Sequence, residues 1–342
     1  MPAMDASIRV AVAGATGYAG DGCVRLLLEH PGAELVAVGS RTQVGRPHSA
    51  VCPGSPCEQL LVESIDAAGC DVVISAAMPG EAGREAGRWL AEGAVVVDVS
   101  ADFRLKAAAA FARWYGVPHP APELLSQAVL AMPELRPEAI REASLLALPG
   151  CFSTAAILAC GPALARGLIE PEVVVDGKTG VSGAGRAASA DYLFSELNES
   201  AKAYSVSGHR HQPEMEQALS ELAGGPVAVT FVPHLVPMTR GILVTCYLRP
   251  RAGVNLAQLR ATYREQYRDQ PFVRVADLPV PTKQASNTNL CWLSLEQQGR
   301  HLVVSAVLDN LGRGASAQAI QVINLRFGLE ARAGLEGSSR WP

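Results

Sequence analysis

Apolar residues in the first half of the chain fall in short, nearly unbroken runs rather than in alternation. Ile8–Ala13, 34–39, 71–76, 94–99 and 144–148 are such runs, most of them rich in valine. Between them the spacing turns helical, through Val24, Leu26, Leu27 and Leu28 and again near 82–92. Continuous apolar strands alternating with helices predict a parallel sheet covered on both faces. Farther on the rhythm changes. Strands are expected at 173–177, 227–232, 242–248, 272–275, 289–296 and 301–308, with few helices between them, and 242–248 alternates as an antiparallel strand does. The pattern therefore predicts an α/β, Rossmann-type domain followed by an α+β domain with a mixed or antiparallel sheet. A last helix at 317–327, with Ala319, Ile320, Val322, Ile323 and Leu325 on its apolar positions, is expected to pack back on the first domain. The boundaries follow: 1–148 with 312–342 for the first domain, 149–311 for the second.

A chain of 342 residues, 49% apolar and 18% charged, is long enough for two such cores. The net charge of −4 offers no basic footprint for nucleic acid or an acidic membrane surface, so a small-molecule partner is expected. No apolar run reaches the length of a membrane-spanning helix. Eight cysteines lie scattered without C-x-x-C spacing, and the N-terminus has no basic stretch before an apolar core. A reducing, cytoplasmic compartment is the expectation. Cys52 and Cys57 are the nearest pair, with no His or Cys cluster beside them to complete a zinc site, so no metal is expected.

The first strand runs into Gly14-Ala15-Thr16-Gly17-Tyr18-Ala19-Gly20 and then a helix. Strand, glycine turn and helix together form the setting of a dinucleotide-phosphate site, because backbone N–H groups at the helix start approach the pyrophosphate. The second strand ends in Ser40-Arg41, where an NAD-specific site usually carries Asp or Glu. A guanidinium there suits the 2′-phosphate of NADP, so NADP(H) is predicted over NAD(H). Strand ends face the cofactor crevice in such sheets, which brings Ser75, Ala76 and Ser100 near it. Asp102 and Arg104 read as a surface pair shaping a loop, and His119 as a loop histidine.

Pro149 and Gly150 interrupt regular structure, and an apolar run follows Cys151, so a helix is expected to start at the cysteine with Ser153 or Thr154 as its N-cap. Most cysteines are simply buried. At a helix N-terminus, however, the dipole and the first-turn N–H groups favour a thiolate and can hold an oxyanion formed when it attacks a carbonyl. The Gly/Ser-rich stretch 180–186 offers backbone to a flat ring or a phosphate. In Gly208-His209-Arg210-His211-Gln212-Pro213-Glu214 the two histidines have no third ligand, and Arg210 between them repels a cation; an anion site is the better reading. His209 is expected to act as acid and base near neutral pH, with Arg210 and His211 holding a carboxylate or phosphate. Glu214 either orients His209 or stabilises the dipole of the helix it begins.

Taken in order, Gly14 to Gly20, Ser40-Arg41, the stretch from Val97 through Asp98 and Asp102 to Leu105, Pro149-Gly150-Cys151, 180–186, Gly208 to His211, Pro213-Glu214, 233–241 and 309–315 resemble the N-acetyl-gamma-glutamyl-phosphate reductase family of the semialdehyde dehydrogenases, enzymes of arginine biosynthesis. The resemblance spans nearly the whole chain. It implies a Rossmann NADP domain, a substrate domain whose sheet serves oligomerisation, and a homodimer or homotetramer. It implies an acyl-phosphate substrate, a nucleophile at Cys151, a base at His209 and support from Glu214. It also implies cofactor contacts at Gly14, Thr16, Gly17, Tyr18, Ala19, Ser40, Arg41, Ser75, Ser182, Gly183 and Asn310, and substrate contacts at Ser153, Arg104, Arg210 and His211. The family pattern A-N-P-G-C-Y-P-T reads Ala147-Leu148-Pro149-Gly150-Cys151-Phe152-Ser153-Thr154 here, and an L-P-H-G-like turn has become Met78-Pro79-Gly80. These departures keep the nucleophile and leave the acyl group open, with a longer or carrier-linked acyl phosphate such as 2-aminoadipate 6-phosphate of a lysine route as the alternative. An NADP-binding sensor without catalysis is the other class of reading, and Cys151 together with His209 weighs against it.

Overall fold

The computed structural model describes residues 7–339. The chain divides into two compact units, one running to Pro149 and resuming over Ala315–Glu336, the other taking Gly150–Gly314 and continuing from Gly337.

The first unit is built on β1 (Ile8–Ala13), β2 (Ala33–Gly39), β3 (Val72–Ser75), β4 (Val95–Asp98), β5 (Val129–Leu130) and β6 (Leu145–Ala147). They pair in parallel in the order β2-β1-β3-β4-β6-β5. Every residue of β3 and β4 is buried, which explains why those strands read as unbroken apolar runs. Trp89, Phe103 and Leu125 fill one of the cores around them. Helix Ala317–Arg326 packs on helices Tyr18–Leu28 and Pro137–Glu142 of this unit. It is buried nearly all round, and its amides are accommodated individually: Gln318 donates to Ala131 O at 3.3 Å and Asn324 to Ala333 O at 2.9 Å, while His30 Nε2 lies 2.9 Å from Asn324 Oδ1.

The second unit carries β7 (Ile169–Thr179), β8 (Lys202–Ala203), β9 (Ala228–Leu235), β10 (Ile242–Pro250), β11 (Val273–Ala276), β12 (Cys291–Gln298) and β13 (His301–Leu308). The sheet order is β11-β12-β13-β10-β7-β9-β8, mixed in direction, with β7‖β9 and β11‖β12 parallel and the other pairs antiparallel. Alternation along β10 sends Ile242, Val244, Cys246 and Leu248 inward, against helix Cys151–Ala165.

That helix is the core of the unit. Residues 152–164 are all buried, so it has no polar face. Pro162 inside it has no N–H, which deprives the Leu158 carbonyl of its intrahelical donor; the Tyr267 hydroxyl supplies one at 2.7 Å, and Tyr263 donates to Ala159 O. The helix does begin at Cys151, but its cap is not a hydroxyl as expected. Gly150 is the N-cap, in extended conformation, and Ser153 and Thr154 lie within the first turn. The reason is a carboxylate from elsewhere in the unit, described next.

Candidate active site

In the second unit the Glu214 side chain, fully buried in the first turn of helix Gln212–Ala223, reaches back to the start of the Cys151 helix. Its Oε2 accepts the Gly150 N–H at 2.9 Å and the Ser153 hydroxyl at 2.8 Å. A side-chain cap from Ser153 is thereby replaced by a charge-assisted one. The first i→i−4 bond is Thr154 N–H to Gly150 O, so the N–H groups of Cys151, Phe152 and Ser153 precede the regular ladder. Glycines give the cysteine its room. A Cβ on Gly150 would lie 2.2 Å from His211 Nε2, and one on Gly314 would lie 2.6 Å from Cys151 Cβ. Cys151 and Cys70 are half-buried, while the other six thiols are buried.

His209 sits in an aromatic cage. Its ring centroid lies 4.8 Å from that of His211, 5.3 Å from Phe231, 5.6 Å from Tyr204 and 6.2 Å from Phe152. Burial holds the imidazole neutral, down to about 4, with Glu214 pulling in the opposite direction. The expected titration near neutrality is thus corrected: desolvation outweighs the carboxylate. Nδ1 accepts the His211 N–H at 3.1 Å, which leaves the ring proton on Nε2. Tyr204, missed in the sequence, belongs to this group; its phenol is pushed well up by burial and, next, by the charge of Cys151. Nothing around Tyr204 in the sequence marks it, since it stands between Ala203 and Ser205 outside any motif. Arg210 is exposed and His211 half-buried.

Ser182, Gly183 and Asn310 also meet in this unit. Asn310 Nδ2 donates to Ser182 Oγ at 3.0 Å and its Oδ1 accepts the Gly241 N–H at 2.8 Å. Asp309 beside it is a hub, accepting from Leu311 and Gly312 N–H and pairing with Arg240 at 3.0 Å. A short π-helical turn, Gly312–Ser316, follows.

In the first unit the glycine turn has the form a dinucleotide requires. Gly14 has φ +75°, and a Cβ there would fall 2.6 Å from Ala76 O. Gly20 lets helix Tyr18–Leu28 close on the turn, since its Cβ would lie 2.1 Å from Gly14 O. Gly17 caps that helix with no side-chain hydrogen bond, as a helix start that receives an anion requires. Ser75 Oγ, at the end of β3, is buried without a partner among the described residues. Thr16 and Ser40 hydroxyls meet at 3.1 Å, Tyr18 is exposed and Ala19 half-buried. Arg41, in the loop after β2, pairs at 3.5 Å with Glu81, the first residue of helix Glu81–Ala91 after β3; β2 and β3 lie on either side of β1 in the sheet.

Asp102 and Arg104 are no surface pair. Asp102 is buried and accepts the N–H groups of Gly80 and Gly83, holding the start of helix Glu81–Ala91. Arg104, equally buried, donates to Leu148 O at 2.8 Å and Val99 O at 3.0 Å, so its charge steadies the strand that delivers the chain to Pro149. Asp98 beside them is raised by burial. His119 is a buried loop residue, its Nε2 2.7 Å from Asp102 O.

These two units define a class. A sequence model of the semialdehyde dehydrogenase NAD-binding domain matches residues 9–143, and one of the semialdehyde dehydrogenase dimerisation domain matches 151–310. The fold agrees: aspartate semialdehyde dehydrogenase II from Vibrio cholerae superposes with a TM-score of 0.72 at 17% identity over 94% of this chain and 98% of that one. The NADP-bound aspartate semialdehyde dehydrogenase from Candida albicans also gives 0.72, at 15% identity over 96% and 99%. Within the class, the N-acetyl-gamma-glutamyl-phosphate reductases of Symbiobacterium thermophilum and Desulforudis audaxviator are each 46% identical to this chain, covering 96% and 98% of it and 97% and 100% of their own lengths. The chain belongs to the N-acetyl-gamma-glutamyl-phosphate reductase family. Its first unit is a nicotinamide-dinucleotide-binding domain.

Proposed function

We propose that this chain reduces N-acetyl-gamma-glutamyl phosphate to N-acetylglutamate 5-semialdehyde, with release of inorganic phosphate, through a thioester on Cys151 and at the expense of NADPH. The observation that carries the proposal is Cys151 standing first in a buried helix whose entrance is clamped by Glu214. Its thiolate attacks the acyl carbon; the tetrahedral adduct expels phosphate and leaves the thioester. The nicotinamide, when bound, supplies the hydride that takes the thioester to the aldehyde level. Cys151 then departs as thiolate and the semialdehyde is free.

With the sulfur entering and leaving as thiolate, the second adduct collapses without a proton, while the phosphate expelled from the first takes up one proton from solvent, the proton that the net reduction consumes. A neutral His209 presenting Nε2–H suits a donor to the oxyanion of both adducts, alongside the first-turn N–H groups at Cys151. Arg210, His211 and Ser153 are the proposed substrate contacts. Arg104 is retained there only through its hold on Leu148.

For the cofactor, Gly14, Thr16, Gly17, Tyr18, Ala19 and Ser75 are the proposed contacts in the first unit, and Ser182, Gly183 and Asn310 in the second. Ser40 and Arg41 favour the 2′-phosphate and hence NADP(H).

A homodimer or homotetramer is proposed, built on the sheet of the second unit. On the face of that sheet away from the Cys151 helix, Val174 and Tyr247 are exposed, and Trp292 keeps a buried Nε1 without a partner among the described residues. Such a face suits a second copy. The setting proposed is the cytoplasm; no described helix is long and apolar enough to cross a membrane. Nothing described favours the aminoadipyl or carrier-linked alternative. Running the reaction backwards with NADP, phosphate and a panel of amino-acid semialdehydes tests both activity and chain length: N-acetylglutamate 5-semialdehyde should be the preferred member, and preference for aminoadipate semialdehyde would overturn the assignment.

A further inference from the structure

We propose that Asp21, His48 and Cys52 form a binding site for a zinc-like divalent metal behind the dinucleotide turn. The sequence hid it, because the third ligand comes from the preceding helix rather than from a neighbouring Cys or His. His48 opens the short helix His48–Val51 and Cys52 follows its end, a spacing of four that sets both on one side. Asp21 lies in the first turn of helix Tyr18–Leu28. One potential ligand atom from each residue lies within 4.8 Å of the other two.

Beyond the grouping itself, one detail points to a cation. Asp21 Oδ1 is buried without a hydrogen-bond partner among the described residues, and the His48 side chain whose Nε2 faces it is 0% exposed. A carboxylate oxygen left so is costly, and the 3.7 Å between Asp21 Oδ1 and His48 Nε2 is too long for a hydrogen bond. Around it, Ala15 O lies 3.1 Å from His48 Nε2 and Thr16 O accepts from Cys52 Sγ at 3.9 Å, so both carbonyls stand beside the ion once those protons leave. Carboxylate, imidazole and thiolate with one carbonyl or water make a four-coordinate set of the kind zinc and cobalt take.

The surroundings complete it. Asp21 Oδ2 is held by Arg25 Nε at 2.8 Å, and Arg25 is itself anchored to Gly54 O at 2.7 Å, the kind of outer contact that orients a ligating carboxylate. Binding releases the Cys52 thiol proton to solvent and moves the imidazole proton to Nδ1, freeing Nε2. Because Ala15 and Thr16 also belong to the glycine turn, an ion here braces from behind the loop proposed to receive the pyrophosphate.

The test is a Co²⁺ titration of the full-length, chelator-treated protein, read by visible absorption and native mass spectrometry. One equivalent should bind with a thiolate-to-cobalt charge-transfer band, and Zn²⁺ should displace it. The band should survive Cys151→Ser and Cys57→Ser and vanish in Cys52→Ser. Asp21→Asn, a conservative change at a partly exposed side chain, should weaken Co²⁺ about tenfold or more while leaving the circular dichroism unchanged. Absence of saturable binding, a band that persists in Cys52→Ser, or one lost in Cys151→Ser overturns the proposal.

Discussion

The Glu214 carboxylate accepts the backbone N–H of Gly150 at 2.9 Å, one residue before the cysteine and 64 positions away in sequence. The same oxygen takes the Ser153 hydroxyl. Glu214 is therefore a positioning residue for the Cys151 helix entrance rather than only a partner for His209.

Glu214→Ala should lower kcat about 100-fold while KM changes less than threefold, since small displacements of a nucleophile cost rate rather than affinity. Glu214→Gln, whose amide oxygen can still accept from Gly150, should recover part of that loss. Urea unfolding should show Glu214→Ala destabilised by about 2–3 kcal/mol, the scale of a lost hydrogen bond to a buried charge. A KM defect with unchanged kcat would place Glu214 on the substrate instead.

Arg41 follows β2 and Glu81 opens the helix after β3, the two strands that flank β1 and its glycine turn in the sheet. Arg41→Ala should raise the KM for NADPH about 30-fold and leave that for NADH nearly unchanged, the worth of roughly 2 kcal/mol for charge-assisted bonds to phosphate. Glu81→Gln should act in the opposite direction, lowering the NADPH KM by up to about fivefold, because a half-exposed pair contributes no more than about 1 kcal/mol. An unchanged NADPH/NADH ratio in Arg41→Ala would remove Arg41 from the cofactor site.

His209 makes stability depend on pH in a stated direction. Its folded value of about 4 lies below the ordinary 6.5, so the unfolded chain binds the extra proton as pH falls between them. Stability is unaffected above that window, declines as pH drops through it, and the loss is complete below about 4. From pH 7 to pH 4.5 the wild type should lose about 2.5 kcal/mol more than His209→Gln. Denaturant midpoints at the two pH values measure this, and equal losses in both proteins would contradict a buried, neutral imidazole.

What the sequence revealed and what it hid divide by range of interaction. β1 and β13 appear where the apolar pattern places them, because burial on a sheet writes itself locally. Cys151 at its helix start was readable for the same reason, from Pro149, Gly150 and the apolar run behind. The Ser153 cap was misassigned because the competing acceptor, Glu214, is distant in sequence. Asp102 and Arg104 looked like surface charges, since nothing nearby shows that Gly80, Gly83 and Leu148 fold over them. Likewise the cage that lowers His209 is assembled from Phe152, Tyr204 and Phe231, each on a different segment.

The most direct measurement is the mass of the enzyme mixed with N-acetyl-gamma-glutamyl phosphate in the absence of NADPH, followed by peptide mapping. One N-acetylglutamyl group should accumulate on the peptide bearing Cys151, discharge as semialdehyde when NADPH is added, and be absent from Cys151→Ser. A Cys151→Ser protein that still turns over at the wild-type rate, or an adduct on another cysteine, would contradict the account.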